Sequence, residues 1–241
     1  MRILFRSIVF NALFYLNTLV WLIVALPTFF MPYRAIIAVA KAWARTNLTL
    51  LHAVAGIDYE IRGLEKLPKG PLIIAAKHQS AWETFALLPL FNSPTFIMKR
   101  ELQWIPIFGW LTIKGRMVPV DRGAGSAALA KMAERARVEL ADNRQLIIFP
   151  EGTRRPPGAE PRYKFGVVHL YAAEGVPCVP IALNSGLFWP RRSTLLKPGK
   201  IIVEILDPIM PGLDKDDFFK RLQSIIEGAT ARLLEEGRRS R

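Results

Sequence analysis

Residues 72–83 read LIIAAKHQSAWE, and this stretch decides how the chain can fold. Its first five residues form an unbroken apolar run, which is typical of a β-strand that helices cover on both faces. His78 lies just after this run. Because α/β sheets place ligands and catalytic groups at the carboxyl ends of their strands, the stretch predicts a buried strand that presents an imidazole at its end.

Similar apolar runs recur along the chain and alternate with helical stretches. Strands are predicted at residues 57–62, 72–76, 95–99, 116–120, 145–149, 178–183 and 201–206. Helices are predicted at residues 124–141 and 163–173, and an amphipathic helix is predicted after Asp214. This alternation predicts an α/β fold with a mixed, largely parallel sheet flanked by helices, preceded by an N-terminal membrane-associated helical segment.

The N-terminal segment contains an apolar stretch without charge at residues 7–33. About 20 apolar residues are enough to cross the hydrocarbon core of a bilayer. Pro27 and Pro32 interrupt this stretch, and a less apolar one follows at residues 35–52. Three interpretations stay open: a single transmembrane helix, a helical pair that dips into one leaflet, or a secretory signal peptide. We predict a membrane-associated helical segment at residues 1–52 and an α/β domain at residues 53–241.

The formal net charge of +13 over 241 residues indicates an anionic partner. Nucleic acid, an anionic bilayer and an acidic substrate or carrier all fit this charge. The sequence lacks zinc-finger spacing and a glycine-aromatic RNA signature, and its N-terminus is apolar. We therefore predict a bilayer with anionic lipid as the partner and no nucleic acid. Arginines on both flanks of the apolar stretch, and a single cysteine, Cys178, favour an active domain that faces the cytoplasm.

His78 and Glu83 are the first candidates for catalysis. A neutral imidazole accepts a proton near neutral pH. The two residues are five positions apart, about 140° around an ideal helix, so they would not share a helical face. A turn after His78, with Glu83 in the first turn of the next helix, would bring them together. The carboxylate would then keep one ring nitrogen protonated and direct the other towards a substrate.

A second candidate site is residues 149–154, FPEGTR, which follow an apolar strand. Gly152 allows the backbone to approach a ligand closely. Glu151 can accept a substrate hydroxyl or align a neighbouring base, and Thr153 and Arg154 can donate to a phosphate. An exposed turn after a strand would explain the same residues without any ligand.

Four blocks of the sequence resemble the glycerolipid acyltransferases of the 1-acylglycerol-3-phosphate acyltransferase type. The blocks occur in the family's order, at residues 78–83, 99–122, 149–154 and 179–184. The resemblance covers residues 57–206, and it implies that His78 is the base and that Glu83 orients it. Glu83 stands where related enzymes carry aspartate, and its extra methylene lengthens the reach by about 1.5 Å.

The resemblance also implies substrate-binding roles. Arg122 matches the arginine that helps to hold the glycerol phosphate, and Lys99 is a weaker candidate for the same role. Residues 151–154 are implied to lie at the substrate as well. Pro180 is implied to shape an apolar wall near the acyl chain, although a core strand with an edge proline explains the same residues.

The function implied is transfer of a fatty acyl group from acyl-CoA or acyl carrier protein to the free hydroxyl of 1-acylglycerol-3-phosphate, giving phosphatidic acid. A thioester needs no metal or cofactor for this chemistry, because its thiol is a good leaving group. Another lysolipid acceptor, such as a lyso-ornithine lipid, requires the same base. A membrane-bound lipid hydrolase is a further alternative, and a membrane-anchored nucleic-acid binder is the rival from another class. The absence of a Gly-x-Ser-x-Gly motif argues against a serine acyl-enzyme.

Overall fold

The structure is a computed structural model that describes residues 1–121 and 125–239. Seven strands form its sheet: β1 (Ile57–Arg62), β2 (Leu72–Ala76), β3 (Pro94–Lys99), β4 (Val118–Val120), β5 (Gln145–Ile148), β6 (Cys178–Leu183) and β7 (Gly199–Ile205). Their order across the sheet is β1-β7-β6-β2-β5-β3-β4. Every neighbouring pair is parallel except β6 and β7, which are antiparallel. The predicted mixed, largely parallel sheet is therefore confirmed.

All seven predicted strands are present. The observed first residue differs most from the predicted one at β4 and β7. β4 begins at Val118 instead of residue 116 because Arg116 has a left-handed backbone, with φ of 58°. The guanidinium of Arg116 turns instead towards Glu139 and Asp142, at 3.1 and 2.7 Å. β7 begins at Gly199, two residues before its predicted start at 201.

Seven α-helices accompany the sheet in the described part of the chain: α1 (Arg2–Val24), α2 (Tyr33–Leu50), α3 (Glu83–Ala86), α4 (Phe108–Lys114), α5 (Gly125–Ala141), α6 (Gly166–Glu174) and α7 (Lys215–Arg239). Asp214 starts α7, because its carboxylate accepts the backbone N–H groups of Asp216 and Asp217, both at 2.9 Å. α6 begins at Gly166, later than predicted. Before it, the backbone N–H of Lys164 donates to Pro150 O at 2.8 Å, which ties this segment to a loop.

The side chains of β2 separate two hydrophobic cores. Leu72, Ile74 and Ala76 belong to the core on the side of α1, α2 and α3. Ile73 and Ala75 belong to the core on the side of α5, α6 and α7. Because successive side chains of a strand point to opposite faces, β2 is buried on both sides, as its apolar sequence predicts.

The apolar N-terminus forms a helical hairpin. A 3-10 helix, Leu26–Phe30, joins α1 to α2 where the two prolines interrupt the sequence. Within the described residues, one stretch, Arg2–Phe30, is long and apolar enough to cross a membrane by its length and composition. Most of this stretch is exposed, as a lipid-contacting segment requires.

The hairpin contacts the α/β domain at both ends of α1. Near the start of α1, Arg6 donates to Val54 O at 2.6 Å, and Phe10 packs edge-on against Trp189 with ring centroids 5.4 Å apart. Near its end, Ala25 is buried with Leu111 of α4. The division at residues 52 and 53 stays a prediction, and contacts extend across it.

These contacts predict how replacements in α1 affect stability. Phe10 is 0% exposed, whereas Phe5 on the same helix is 68% exposed. Phe10→Ala should lower the free energy of unfolding by about 3–5 kcal/mol, because it leaves a cavity in the core. Phe5→Ala should change it by less than about 0.5 kcal/mol. Denaturant unfolding in detergent measures both values. An equally small change in the free energy of unfolding for both replacements would show that α1 is not part of the folded core.

Candidate active site

The predicted site residues gather at one edge of the sheet. β2, β5, β3 and β4 are adjacent and parallel, so their carboxyl ends share this edge. His78 follows β2, residues 149–154 follow β5, and Lys99 ends β3. The chain beyond β4 leads towards Arg122, which lies outside the described residues. Three of the four sequence blocks thus begin at neighbouring strand ends.

His78 and Glu83 are in contact. His78 Nδ1 lies 2.9 Å from Glu83 Oε1. β2 ends at Ala76 and α3 begins at Glu83, so the turn between them brings the carboxylate back to the imidazole. The predicted contact between the side chains of His78 and Glu83 is therefore observed. The same oxygen accepts the backbone N–H groups of Gln79 and Ser80, both at 2.6 Å.

Glu83 is fully buried, and its second oxygen also has a partner. Ser185, which follows β6, donates its hydroxyl to Glu83 Oε2 at 2.8 Å. These donors stabilise the ionised carboxylate, which a buried site would otherwise disfavour. Because an ionised carboxylate only accepts hydrogen bonds, this contact calls for a proton on Nδ1 of His78, which leaves Nε2 as the proton acceptor of the neutral imidazole. The ring of Phe149 stacks on the imidazole, with centroids 4.0 Å apart.

The loop after β5 holds the backbone of His78 from both sides. Glu151 Oε2 accepts the His78 N–H at 3.2 Å, and the Arg155 N–H donates to His78 O at 2.8 Å. Gly152 has φ of 64°, which suits glycine, and its N–H donates to Phe149 O at 2.9 Å. The turn thus directs Glu151 inwards. Of the two roles considered for Glu151, its contacts match the alignment of a neighbouring base.

Glu151 also has a buried cationic partner, Lys77. Lys77 Nζ lies 2.9 Å from Glu151 Oε1 and 2.7 Å from Glu227 Oε1, on α7. Tyr163 donates to the same oxygen of Glu227. Burial raises the pKa of the Glu151 carboxyl, while Lys77 acts to lower it. Burial is also the largest cause of a raised pKa at Tyr163.

The other predicted residues lie at varied distances from this centre. Arg154 is half-buried and Thr153 is exposed, both on the loop that holds His78. Lys99 is exposed, and its Nζ lies 3.2 Å from Glu101 Oε1. These three side chains can contact a ligand at the carboxyl edge. Among the described residues, none of the three contacts His78 directly.

Pro180 is not on an edge strand. β6 lies between β7 and β2, and Pro180 is paired with Ala75. β6 is therefore a core strand, as the alternative interpretation predicts, but its proline does not lie at an edge of the sheet. A proline is tolerated here because the N–H that it lacks would point towards β7. The pairing of β6 with β7 begins only at the next residue, Ile181. By strand alternation its ring faces the core of α5 to α7, on the opposite side of the sheet from Phe149.

Four further residues of the site were not predicted from the sequence: Lys77, Tyr163, Ser185 and Glu227. Of these four, only Lys77 has a local signal in the sequence, because it lies between a strand that is buried on both faces and His78. Ser185 follows β6, so only the pairing of β6 with β2 brings it to Glu83. Tyr163 and Glu227 meet through the packing of α7, which no local motif records.

Comparisons with known proteins identify the family of the chain. The model of the Acyltransferase family matches residues 58–184. A 1-acyl-sn-glycerol-3-phosphate acyltransferase from Pseudomonas aeruginosa is 37% identical over 210 residues, which cover 85% of this chain and 80% of that relative. The 1-acyl-sn-glycerol-3-phosphate acyltransferase alpha of Mus musculus is 30% identical over 178 residues, covering 71% of this chain and 62% of that relative.

The fold also has a solved counterpart. The crystal structure of the 1-acyl-sn-glycerophosphate acyltransferase from Thermotoga maritima superposes with a TM-score of 0.79, at 23% identity, and covers 97% of this chain and 99% of that one. Together with the family match, this places the chain in the Acyltransferase family, and it is an acyltransferase enzyme. Within that class it belongs to the family of the 1-acyl-sn-glycerol-3-phosphate acyltransferases.

Proposed function

We propose that this enzyme transfers a fatty acyl group from a thioester, acyl-CoA or acyl carrier protein, to the free hydroxyl of 1-acylglycerol-3-phosphate. The product is phosphatidic acid. The observation that carries the proposal is the 2.9 Å contact between His78 Nδ1 and the buried carboxylate of Glu83, at the carboxyl edge of the sheet. The names of the relatives, which state this acceptor, support the choice of substrate.

His78 acts as the general base in the proposed reaction. Nε2 takes the proton of the acceptor hydroxyl while the hydroxyl oxygen bonds to the thioester carbon. Glu83 holds the Nδ1–H and stabilises the imidazolium that forms. The tetrahedral intermediate then expels the sulfur, and the imidazolium proton passes to it, which restores neutral His78. A thiol, with a pKa of about 8.5, leaves easily, so the chemistry needs no metal ion or cofactor.

Basic side chains at the same edge suit the phosphate of the acceptor. Arg154 is carried by the loop that holds His78, and Lys99 ends the strand next to β5. Arg122 is expected to complete this set, and its guanidinium would grip a phosphate through two parallel hydrogen bonds. The phosphates of acyl-CoA or an acidic carrier protein would meet the same positive field.

The helical hairpin is proposed to lie in one leaflet of the membrane. Both ends of α1 contact the domain, so α1 runs along the domain and does not project from it. This favours the helical pair over a single transmembrane helix. We place the active domain on the cytoplasmic side because arginines flank the apolar stretch.

A second exposed apolar surface adjoins the hairpin. It comprises the side chains of Trp104, Ile105, Phe108, Trp110 and Ile113. Leu111 of the same segment packs with Ala25, so this surface borders the turn of the hairpin. Tryptophans flanked by cations are typical of side chains at the level of lipid headgroups. We therefore assign this surface, which we call the α4 surface, to the same bilayer.

The function is tested by acyl transfer with acyl-CoA and acyl carrier protein as donors and a panel of lysolipids as acceptors. His78→Ala should reduce transfer to lysophosphatidate by about 10²- to 10⁴-fold, because the hydroxyl loses its base. His52→Ala is the matched control, since the exposed side chain of His52 lies 3.9 Å from Asp58 and has no proposed role in the reaction, and it should keep wild-type activity.

A wild-type rate for His78→Ala would refute the proposed base. Transfer that occurs only to another lysolipid, such as a lyso-ornithine lipid, would retain the mechanism and replace the acceptor. Release of free fatty acid without any acceptor would identify a hydrolase instead.

Vesicle binding tests the α4 surface. Trp104→Ser with Trp110→Ser should weaken partition into vesicles that contain anionic lipid by at least about 10-fold, because a large apolar side chain gains about 1.5–3 kcal/mol on full burial. Val138→Ser with Met210→Ser is the control, because these exposed residues lie on the side of α5 to α7. The assignment fails if both double variants bind the vesicles like the wild type.

A further inference from the structure

A buried lysine lies beside the proposed base and has no part in the chemistry described above. Lys77 precedes His78 directly, and its side chain is 3% exposed. Its Nζ donates to Glu151 Oε1 at 2.9 Å and to Glu227 Oε1 at 2.7 Å. Tyr163 donates to that oxygen of Glu227 at 2.9 Å. One cation, two carboxylates and one phenol therefore form a hydrogen-bonded group, which we call the lysine cluster.

The lysine cluster lies on the other face of the sheet from the imidazole. Lys77 continues the alternation of Ile73 and Ala75, which face α5 to α7, and it meets Glu227 on α7. The imidazole of His78 lies on Phe149, which packs against the opposite core. Glu151 connects the two faces, because one of its oxygens accepts from Lys77 and the other accepts the N–H of His78.

Glu151 needs the positive charge of Lys77 nearby to remain ionised. A buried carboxylate without a partner is costly and takes up a proton instead. The charged or titratable groups that face Glu151 are Lys77 from the end of β2, Glu227 from α7 and Tyr163 from the loop before α6. Without Lys77, the two carboxylates would face each other, with the His78 N–H as the donor left to Glu151 and the phenol of Tyr163 as the donor left to Glu227. Glu151 would then protonate and hold the His78 N–H more weakly.

Direct contact of Lys77 with substrate does not fit these observations. Its ammonium group is buried, and two carboxylates at 2.7–2.9 Å accept from two of its three N–H donors. Its effect on the reaction must therefore pass through Glu151 and the backbone of His78.

We propose that Lys77, Glu227 and Tyr163 are positioning residues of the active site, which keep Glu151 ionised so that it fixes the backbone of His78. Helix α7, at the C-terminal end of the domain, is by this assignment part of the catalytic framework. The proposal rests on the proposed role of His78 as the base.

The test uses the full chain in lipid–detergent micelles and four variants: Lys77→Met, Glu227→Gln, the double variant of these two, and Tyr163→Phe. Glu235→Gln is the control, because Glu235 is an exposed carboxylate on the same helix. Two quantities are measured for each protein. One is kcat against pH, with KM for lysophosphatidate. The other is hydrogen exchange of the His78 backbone amide, observed in protein labelled with ¹⁵N-histidine, which needs no activity.

Lys77→Met should lower kcat by about 10- to 100-fold with KM within about twofold, because a buried unpaired carboxylate disturbs the base and not substrate binding. The acid limb of its kcat profile should move to higher pH, since Glu151 protonates more readily. Exchange of the His78 amide should become at least about tenfold faster. The double variant should recover part of both losses, because it removes the like charge of Glu227. Glu235→Gln should match the wild type.

Two results would overturn the proposal. One is Lys77→Met with wild-type kcat and exchange. The other is a folded double variant that is no better than Lys77→Met, which would indicate packing instead of charge. If Lys77→Met does not fold, Tyr163→Phe and Glu227→Gln carry the test, and unchanged exchange in both would refute the proposal. Faster exchange in a protein whose wild type transfers no acyl group would instead refute the proposed function and leave the lysine cluster in place.

Discussion

The buried carboxylate of Glu83 accepts hydrogen bonds from two separate parts of the chain, and the candidate site depends on this arrangement. The turn after β2 provides two backbone N–H groups and the imidazole, and the segment after β6 provides the hydroxyl of Ser185. Moving a carboxylate out of water is costly unless such donors replace the water. The donors therefore hold the turn in one conformation, and that conformation determines where Nε2 of His78 points.

A second carboxylate, Glu151, performs the corresponding task for the backbone. It reaches His78 because β5 lies next to β2 and both strands end at the same edge. The two carboxylates thus hold the same residue by different atoms, one by its side chain and one by its N–H. A general base gains rate only when it is held in reach of its proton, so this double hold suits the role proposed for His78.

The sequence predicts the sheet well, because its signals are local. β2, β6 and the other strands are apolar runs, and their burial on both faces follows from that composition. The contact of His78 with Glu83 was predictable for the same reason, since a turn over five residues is a local event. The position of Arg122 stays a prediction, because it lies outside the described residues.

Other parts of the site depend on packing between distant segments, and no local pattern encodes them. Ser185 reaches Glu83 only through the pairing of β6 with β2. Glu227 looks like an ordinary polar residue of the amphipathic helix α7, yet it accepts from a buried lysine. The N-terminal helical segment was predicted from its hydropathy, with a helical pair as one of three interpretations, whereas the burial of Phe10 in the core of the domain was not predicted.

The tautomer of His78 is the most direct test of the central claim, that Glu83 holds the imidazole so that Nε2 is the base. ¹⁵N NMR of histidine-labelled protein, at about pH 8.5 where an ordinary imidazole is neutral, reports which ring nitrogen carries the proton. The structure predicts a proton on Nδ1 and a free Nε2 for the resonance that disappears in His78→Ala. The same resonance in Glu83→Gln should lose this preference. A proton on Nε2 in the wild type would contradict the proposed role of the His78–Glu83 pair.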